Sequence, residues 1–169
     1  MNVTKSTILI ALGSNLPFLG HDSEHILFLA LQQMEREGVS VQQCSPWYRS
    51  APVPPSGQPD FINGVAALDT DLDPVALLSL LHSTERAFGR VRGSRNAART
   101  LDLDLIDYRG RITSGKEGAP VLPHPRMQDR AFVLVPLRDV VPDWRHPASG
   151  DSIDTLIGLL PEPWGLEPL

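Results

Sequence analysis

Apolar and polar positions along this chain recur in blocks, and each block predicts one element. Thr7 to Leu12 is a short apolar, partly β-branched run that stops at Gly13-Ser14-Asn15, the pattern of a buried strand ending in a turn. From Asp22 to Glu37 the apolar residues Ile26, Leu27, Ala30 and Met34 recur at helical spacing, and Gly38 stands where a C-terminal cap belongs. Val39 to Tyr48 reads as a second strand, Ser50 to Pro59 as a proline-rich loop, and Phe61 to Leu68 as a third strand. Asp73 predicts the cap of a second helix, with Pro74 at its first position and Val75, Leu78, Leu81 and Phe88 along one stripe. A turn-like segment follows Gly89, and Leu101 to Ile106 predicts a fourth strand.

The order strand, helix, strand, strand, helix, strand belongs to an α+β class, a ferredoxin-like sandwich with an antiparallel sheet and two helices on one face. The last third, Gly110 to Leu169, reads as loop-rich, with short helices expected around Phe132 to Arg138 and Ser152 to Leu160. No internal repeat or linker interrupts the chain, and a 41% hydrophobic content over 169 residues suffices for one core, so residues 1–169 are expected to form a single domain.

Composition narrows the function. A formal charge of −5 argues against coating nucleic acid or an anionic membrane. The single cysteine, Cys44, allows neither an intrachain disulfide nor a Cys-rich zinc site. No apolar run approaches the roughly 20 residues that span a bilayer, and the expected location is the cytoplasm. Prolines crowd into two stretches, around Pro52 to Pro59 and Pro120 to Pro125, which implies two stiff loops.

In Leu101-Asp102-Leu103-Asp104-Leu105 the alternation places both carboxylates on one face of a strand and three leucines on the other. Taken alone, such a pair is also the solvated face of an edge strand. A divalent cation with oxygen ligands, magnesium above all, would relieve the repulsion and hold polyphosphate oxygens as well. Upstream, Arg86, Arg90, Arg92, Arg95 and Arg99 fall in a segment free of acidic residues. That segment reads as a solvated basic loop, a nucleic-acid patch or a polyphosphate site, and the neighbouring aspartates favour polyphosphate. Gly89, Gly93, Ser94, Ala97 and Ala98 would let the loop close over a ligand.

Further on, Pro123-His124-Pro125-Arg126 leads to Arg130-Ala131-Phe132, an imidazole, two guanidinium groups and an aromatic ring close together. His124 is either a structural histidine or part of a second anion-binding edge. Phe61 starts a strand, where aromatic residues are commonly core, and Asn63 shares its face with a donor and an acceptor suited to a heterocycle's edge.

With these segments in order, the chain resembles the 6-hydroxymethyl-7,8-dihydropterin pyrophosphokinases of folate biosynthesis. The matching stretches are Ala11-Leu12-Gly13-Ser14-Asn15-Leu16, Gln58-Pro59-Asp60-Phe61-Ile62-Asn63, Arg99-Thr100-Leu101-Asp102-Leu103-Asp104-Leu105, and the segment from Pro123 to Phe132. The resemblance implies transfer of diphosphate from ATP to the pterin hydroxymethyl group with release of AMP, and two magnesium ions on Asp102 and Asp104. It implies that Arg90 and Arg99 neutralise the migrating group, and that His82, Glu85, Arg92, Arg99, Leu105, His124 and Arg130 line the ATP site. Phe61 and Phe132 would sandwich the pterin, with Asn63 and the backbone of Ser50, Ala51 and Val53 reading its polar edge. Thr84 and Glu85 equally suit the polar face of the second helix. The substrates would be ATP and the pterin, with no nucleic acid and no membrane, in a monomer. Some relatives carry a tryptophan in the arginine loop; here Asn96, Ala97 and Ala98 stand in its place, and Ala119 and Val121 replace polar nucleotide contacts.

A competing reading of another class is a non-catalytic ferredoxin-like module that binds RNA or a small regulatory ligand on its sheet. Exposed aromatics and basic residues spread over the central strands would distinguish it.

Overall fold

The computed structural model describes residues 7–93 and 95–169, so Ser94 of the arginine loop and residues 1–6 lie outside the described residues. The predicted elements form where the hydrophobic pattern places them. The apolar run becomes β1, Ile8–Ser14, buried along its whole length. In α1, Ser23–Arg36, the Asp22 side chain accepts from the His25 amide, and Ile26, Leu27, Ala30, Leu31 and Met34 are buried. The expected strand from Val39 to Tyr48 divides into β2, Ser40–Cys44, and β3, Tyr48–Ser50. The break falls at Pro46, which has no N–H to give a ladder. Both halves pair with the long β4, Phe61–Asp69.

The helix α2, Pro74–Ala87, is capped by Asp73, which accepts from the Ala76 amide at 2.8 Å. Its buried stripe runs through Leu77, Leu81, Thr84 and Glu85, whereas Val75 is exposed, so the expected stripe is corrected by a rotation about the helix axis. The physical reason is that Val75 to Leu81 is nearly continuous in apolar residues, and only docking selects which side packs. Strand β5, Asp102–Tyr108, follows the arginine loop. Beyond it come the short β6, Thr113–Ser114, and β7, Val121–Leu122, which pair with each other, then α3, Ala131–Val140, α4, Ile153–Gly158, and β8, Leu166–Pro168.

The main sheet runs β5-β1-β4-β3-β8, with β2 also on β4, and every pairing is antiparallel. One face carries Ile8, Ile10, Leu12, Leu103 and Leu105 into a core with α1 and α2. The opposite face carries Leu9, Ala11, Val65, Ala67 and Ile106 into a second core with α3, α4 and Trp144. The C-terminal third is therefore a covering layer rather than mainly loop, and it occupies the face on which no helix was expected. With helices against both faces, the sheet offers no open platform of the kind the RNA-binding reading requires.

Candidate active site

The site begins with the alternation in β5. Leu101, Leu103 and Leu105 are buried toward α1 and α2, which turns Asp102 and Asp104 to the α3 side. On the adjacent strand Gly13 pairs with Asp102 and Ala11 with Asp104, so the neighbouring side chains are small and leave space over the carboxylates. Gly13 also pairs with Asn63, and a Cβ there would lie 3.1 Å from Asn63 Oδ1. A glycine at this position keeps the amide and the two carboxylates on one unobstructed floor.

Arginines hold both carboxylates. Arg90 Nη1 donates to Asp102 Oδ1 at 2.6 Å, and Arg99 Nη1 lies 3.1 Å from Asp102 Oδ2. Arg130 Nη1 lies 3.6 Å from Asp104 Oδ2, and its guanidinium sits over the Phe132 ring, 5.5 Å from the centroid. Burial, and next the charge of Asp102, push the Asp104 carboxyl up to about 6. Glu85, in the last turn of α2, accepts from Arg90 Nη1 and from the Leu103 amide at 2.8 Å; its burial pushes it up to about 7. Glu85 and Arg90 thus form a chain that fastens α2 to β5 behind the floor.

The loops are clasped by Asn15, buried at the end of the first matching stretch. Its Oδ1 accepts from the Arg99 amide at 2.8 Å, and its Nδ2 donates to the Pro59 carbonyl and to Gln58 Oε1, each at 3.1 Å. Gln58 Nε2 in turn donates to the Asn96 carbonyl at 2.8 Å. The proline loop and the arginine loop are therefore tied at one point beside the carboxylates.

Above this floor lies a cavity of about 470 Å³. Ser50, Ala51, Val53, Phe61, Asn63 and Phe132, the six residues expected to read the pterin, all line it. Arg99, Asp102, Asp104 and Arg130 line it too. Asn63 Nδ2 donates to Ser50 Oγ at 2.7 Å, which fixes the amide at the end of β4. Phe132 occupies the first turn of α3, two residues after Arg130 at its N-cap, so the start of that helix brings an aromatic ring and a cation to the cavity.

The remaining expected residues stand elsewhere. Arg90 and Glu85 sit behind the floor as described, and Leu105 is packed into the core on the opposite face of the sheet. Arg92 is exposed; His82 is half-buried on α2, and burial, then Arg92, Arg86 and Arg90, lower its pKa. His124 is half-buried on the loop before α3; burial, then Arg130 and Arg126, push its pKa down to about 4, and its Nδ1 accepts from the Arg126 amide at 3.2 Å. None of these residues lines the cavity. Sequence reading assigned no role to Asn15, Asp129 or the segment around Leu160, Pro161, Pro163 and Trp164, and gave Arg126 only a general place in an anion-binding edge, although the structure brings all of them to the site. Asn15 and Arg126 lie inside quoted motifs and had a signal; the C-terminal segment had none.

Comparison with known proteins supplies the family. The family model described as 7,8-dihydro-6-hydroxymethylpterin-pyrophosphokinase matches residues 9–142. The chain belongs to this family. A pyrophosphokinase of Synechocystis sp., named 2-amino-4-hydroxy-6-hydroxymethyldihydropteridine pyrophosphokinase, is 44% identical over 149 residues, covering 88% of this chain and 73% of the relative. One of the same name from Pseudomonas aeruginosa is 41% identical over 157 residues, 91% of both chains. The fold is also that of the wild-type HPPK-DHPS of Plasmodium falciparum, with a TM-score of 0.68 and 12% identity over 90% of this chain; this chain spans 44% of that longer protein. This pyrophosphokinase is thus an enzyme of the transferase class, and its antiparallel sheet with packed helices is the ferredoxin-like fold expected of it.

Proposed function

We propose that this pyrophosphokinase transfers the terminal diphosphate of ATP to the hydroxymethyl group of 6-hydroxymethyl-7,8-dihydropterin, releasing AMP, with residues 1–169 as one catalytic domain. The observation that carries this reading is a single cavity with carboxylates and guanidinium groups on its floor and two phenylalanines and an amide on its walls. One part suits a polyphosphate and the other a flat heterocycle with a polar edge.

The donor set fits magnesium. Asp102 and Asp104 offer hard oxygens on one face, and the burial and neighbouring Asp102 charge that raise Asp104 are conditions a divalent cation would relieve. Among the described residues no group of three or more histidine, cysteine or acidic side chains converges. A site of two carboxylates suits a cation that keeps some of its water and takes phosphate oxygens as well. We infer two such ions, held by Asp102 and Asp104; when bound, they neutralise phosphate charge and orient its oxygens.

The chain's own residues do the rest. Arg99 and Arg130 border both the carboxylates and the cavity, so positive charge stands where the migrating diphosphate gathers negative charge. Arg90, tied to Glu85 and Asp102, sets the position of the Asp102 carboxylate. We assign His82, Arg92 and His124 to the nucleotide's part of the site, on the arginines that surround both imidazoles. Phe61 and Phe132 grip the ring, while Asn63 and the Ser50–Val53 backbone discriminate its polar edge. Among the described residues no helix is long and apolar enough to cross a membrane. We place the enzyme in the cytoplasm as a monomer acting on small molecules, without nucleic acid. The test is incubation with ATP, magnesium and the reduced hydroxymethyl pterin. AMP as the nucleotide product supports the reading, and ADP or no turnover overturns it.

A further inference from the structure

The C-terminal segment is not a loose end. Strand β8 pairs with β3, with Tyr48 opposite Pro168, Arg49 opposite Glu167 and Ser50 opposite Leu166, and the Leu169 amide donates to the Trp47 carbonyl at 3.0 Å. Because β3 runs directly into the loop Ala51 to Val53, the tail is fastened to the strand that presents that loop. Continued past Ser50 and Leu166, the antiparallel register would bring Gly165 level with Ala51 and Trp164 level with Pro52. Between them stands Gly165 at φ +62°, a left-handed conformation that glycine adopts freely and that turns the chain out of the strand just after the tryptophan.

Trp164 and its neighbours Leu160, Pro161 and Pro163 line the same cavity as Phe61, Asn63 and Phe132. The two prolines fix the backbone φ on either side of Glu162, which lowers the entropy this wall would lose on binding a ligand. Trp164 is 36% exposed, so part of the residue remains accessible at the cavity. An indole at the border of water and an apolar pocket can pack against a flat ring while its N–H faces a polar group.

We propose that Trp164 is a pterin-contacting residue, and that the tail from Leu160 to Trp164 forms an additional wall of the heterocycle pocket that sets affinity for the pterin and not for ATP. This rests on the reading of the cavity given above. It assigns a binding role to a segment beyond residues 9–142, the stretch matched by the family model.

The experiment compares wild type, Trp164→Ala and Trp164→Phe by AMP formation, with KM for the reduced hydroxymethyl pterin and for ATP measured separately, and with pterin affinity measured directly by calorimetry. Loss of a stacked indole is expected to raise the pterin KM and Kd of Trp164→Ala about tenfold. Its KM for ATP should stay within about twofold, and Trp164→Phe should recover most of the loss, because a phenyl ring keeps a stacking face. An unchanged pterin KM in Trp164→Ala overturns the inference. So does a parallel rise in both KM values, or a Phe variant as impaired as the Ala variant, since either marks a structural role. A wild-type enzyme that forms no AMP overturns the underlying reading instead, and the inference falls with it.

Discussion

Asp104 and Asp107 stand on the same strand and on the same side of the sheet, and their surroundings could hardly differ more. A bulge between β1 and β5 turns Asp107 toward the α3 side together with Ile106. There Asp107 is buried and accepts from Trp144 Nε1 and from the Gly110 amide, each at 2.8 Å. Asp104, nearer the other end of the strand, faces Arg130 at 3.6 Å with Asp102 alongside and a cavity above. The covering layer of α3 and Trp144 is complete over one and ends before the other. Where the layer closes, a carboxylate becomes a staple satisfied by fixed neutral donors; where it stops, the same side chain keeps unspent charge for a ligand.

The largest expected effect breaks the open end. Asp104→Ala, and likewise Asp102→Ala, should lower turnover by on the order of 10³-fold or more, the several kcal/mol that a bound metal supplies to a phosphoryl transition state. For Asp104→Ala the melting temperature should not fall, because burial and the Asp102 charge already disfavour that carboxylate, whereas Asp102→Ala should lower it by stranding Arg90 and Arg99. Wild-type turnover that persists after thorough chelation would contradict this assignment. Next in size, Arg99→Ala should reduce kcat by about 10²–10³-fold, the loss typical of one preorganised donor, with a smaller rise in the KM for ATP. The reverse split would make Arg99 a ground-state binding group.

At the closed end the expectation is inverted. Asp107→Ala should cost about 2 kcal/mol of stability, since it strands the buried Trp144 N–H, yet leave kcat near wild type. A loss of activity without a loss of stability would erase the contrast between the two aspartates.

The smallest effect concerns pH. His124 is held neutral in the folded protein down to about 4, below its ordinary value, so between those values the unfolded chain binds the extra proton. The stability it contributes is present above about 6.5 and is lost as pH falls toward 4. The raised Asp104 acts in the opposite sense: its folded carboxyl holds its proton up to about 6, so its effect on stability becomes less favourable as pH rises from the ordinary carboxylate range toward 6. Replacing His124 by Gln should flatten the fall in melting temperature between pH 6.5 and 4, and an unchanged slope would show that another group carries it.

Much of this was legible beforehand because the relevant physics is short-range. Strand alternation sets the Asp102 and Asp104 side chains on one face whatever packs around them. Asp22 and Asp73 cap their helices through amides three residues away. The stripe of α2 was harder, since consecutive apolar residues permit several orientations. The two-part strand around Pro46 was missed because the β-branched residues before it and the aromatic residues after it outweighed the single proline. The site's loops, clasped by Asn15 to Arg99 and to Pro59, depend on contacts between distant segments, which no local pattern encodes.

The sequence by itself determined the two long helices, the main strands of the first two thirds apart from the division at Pro46, the carboxylate pair, the arginine-rich loop and, through its motifs, the family. Only the tertiary structure decided that the C-terminal third would seal the second face of the sheet, where that seal would end, and that the tail would return beside the pterin loop. These outcomes depend on which apolar surfaces meet, and hydrophobic burial is non-directional: the chain states that a face must be covered, while the choice of cover emerges when all segments compete for the same sheet.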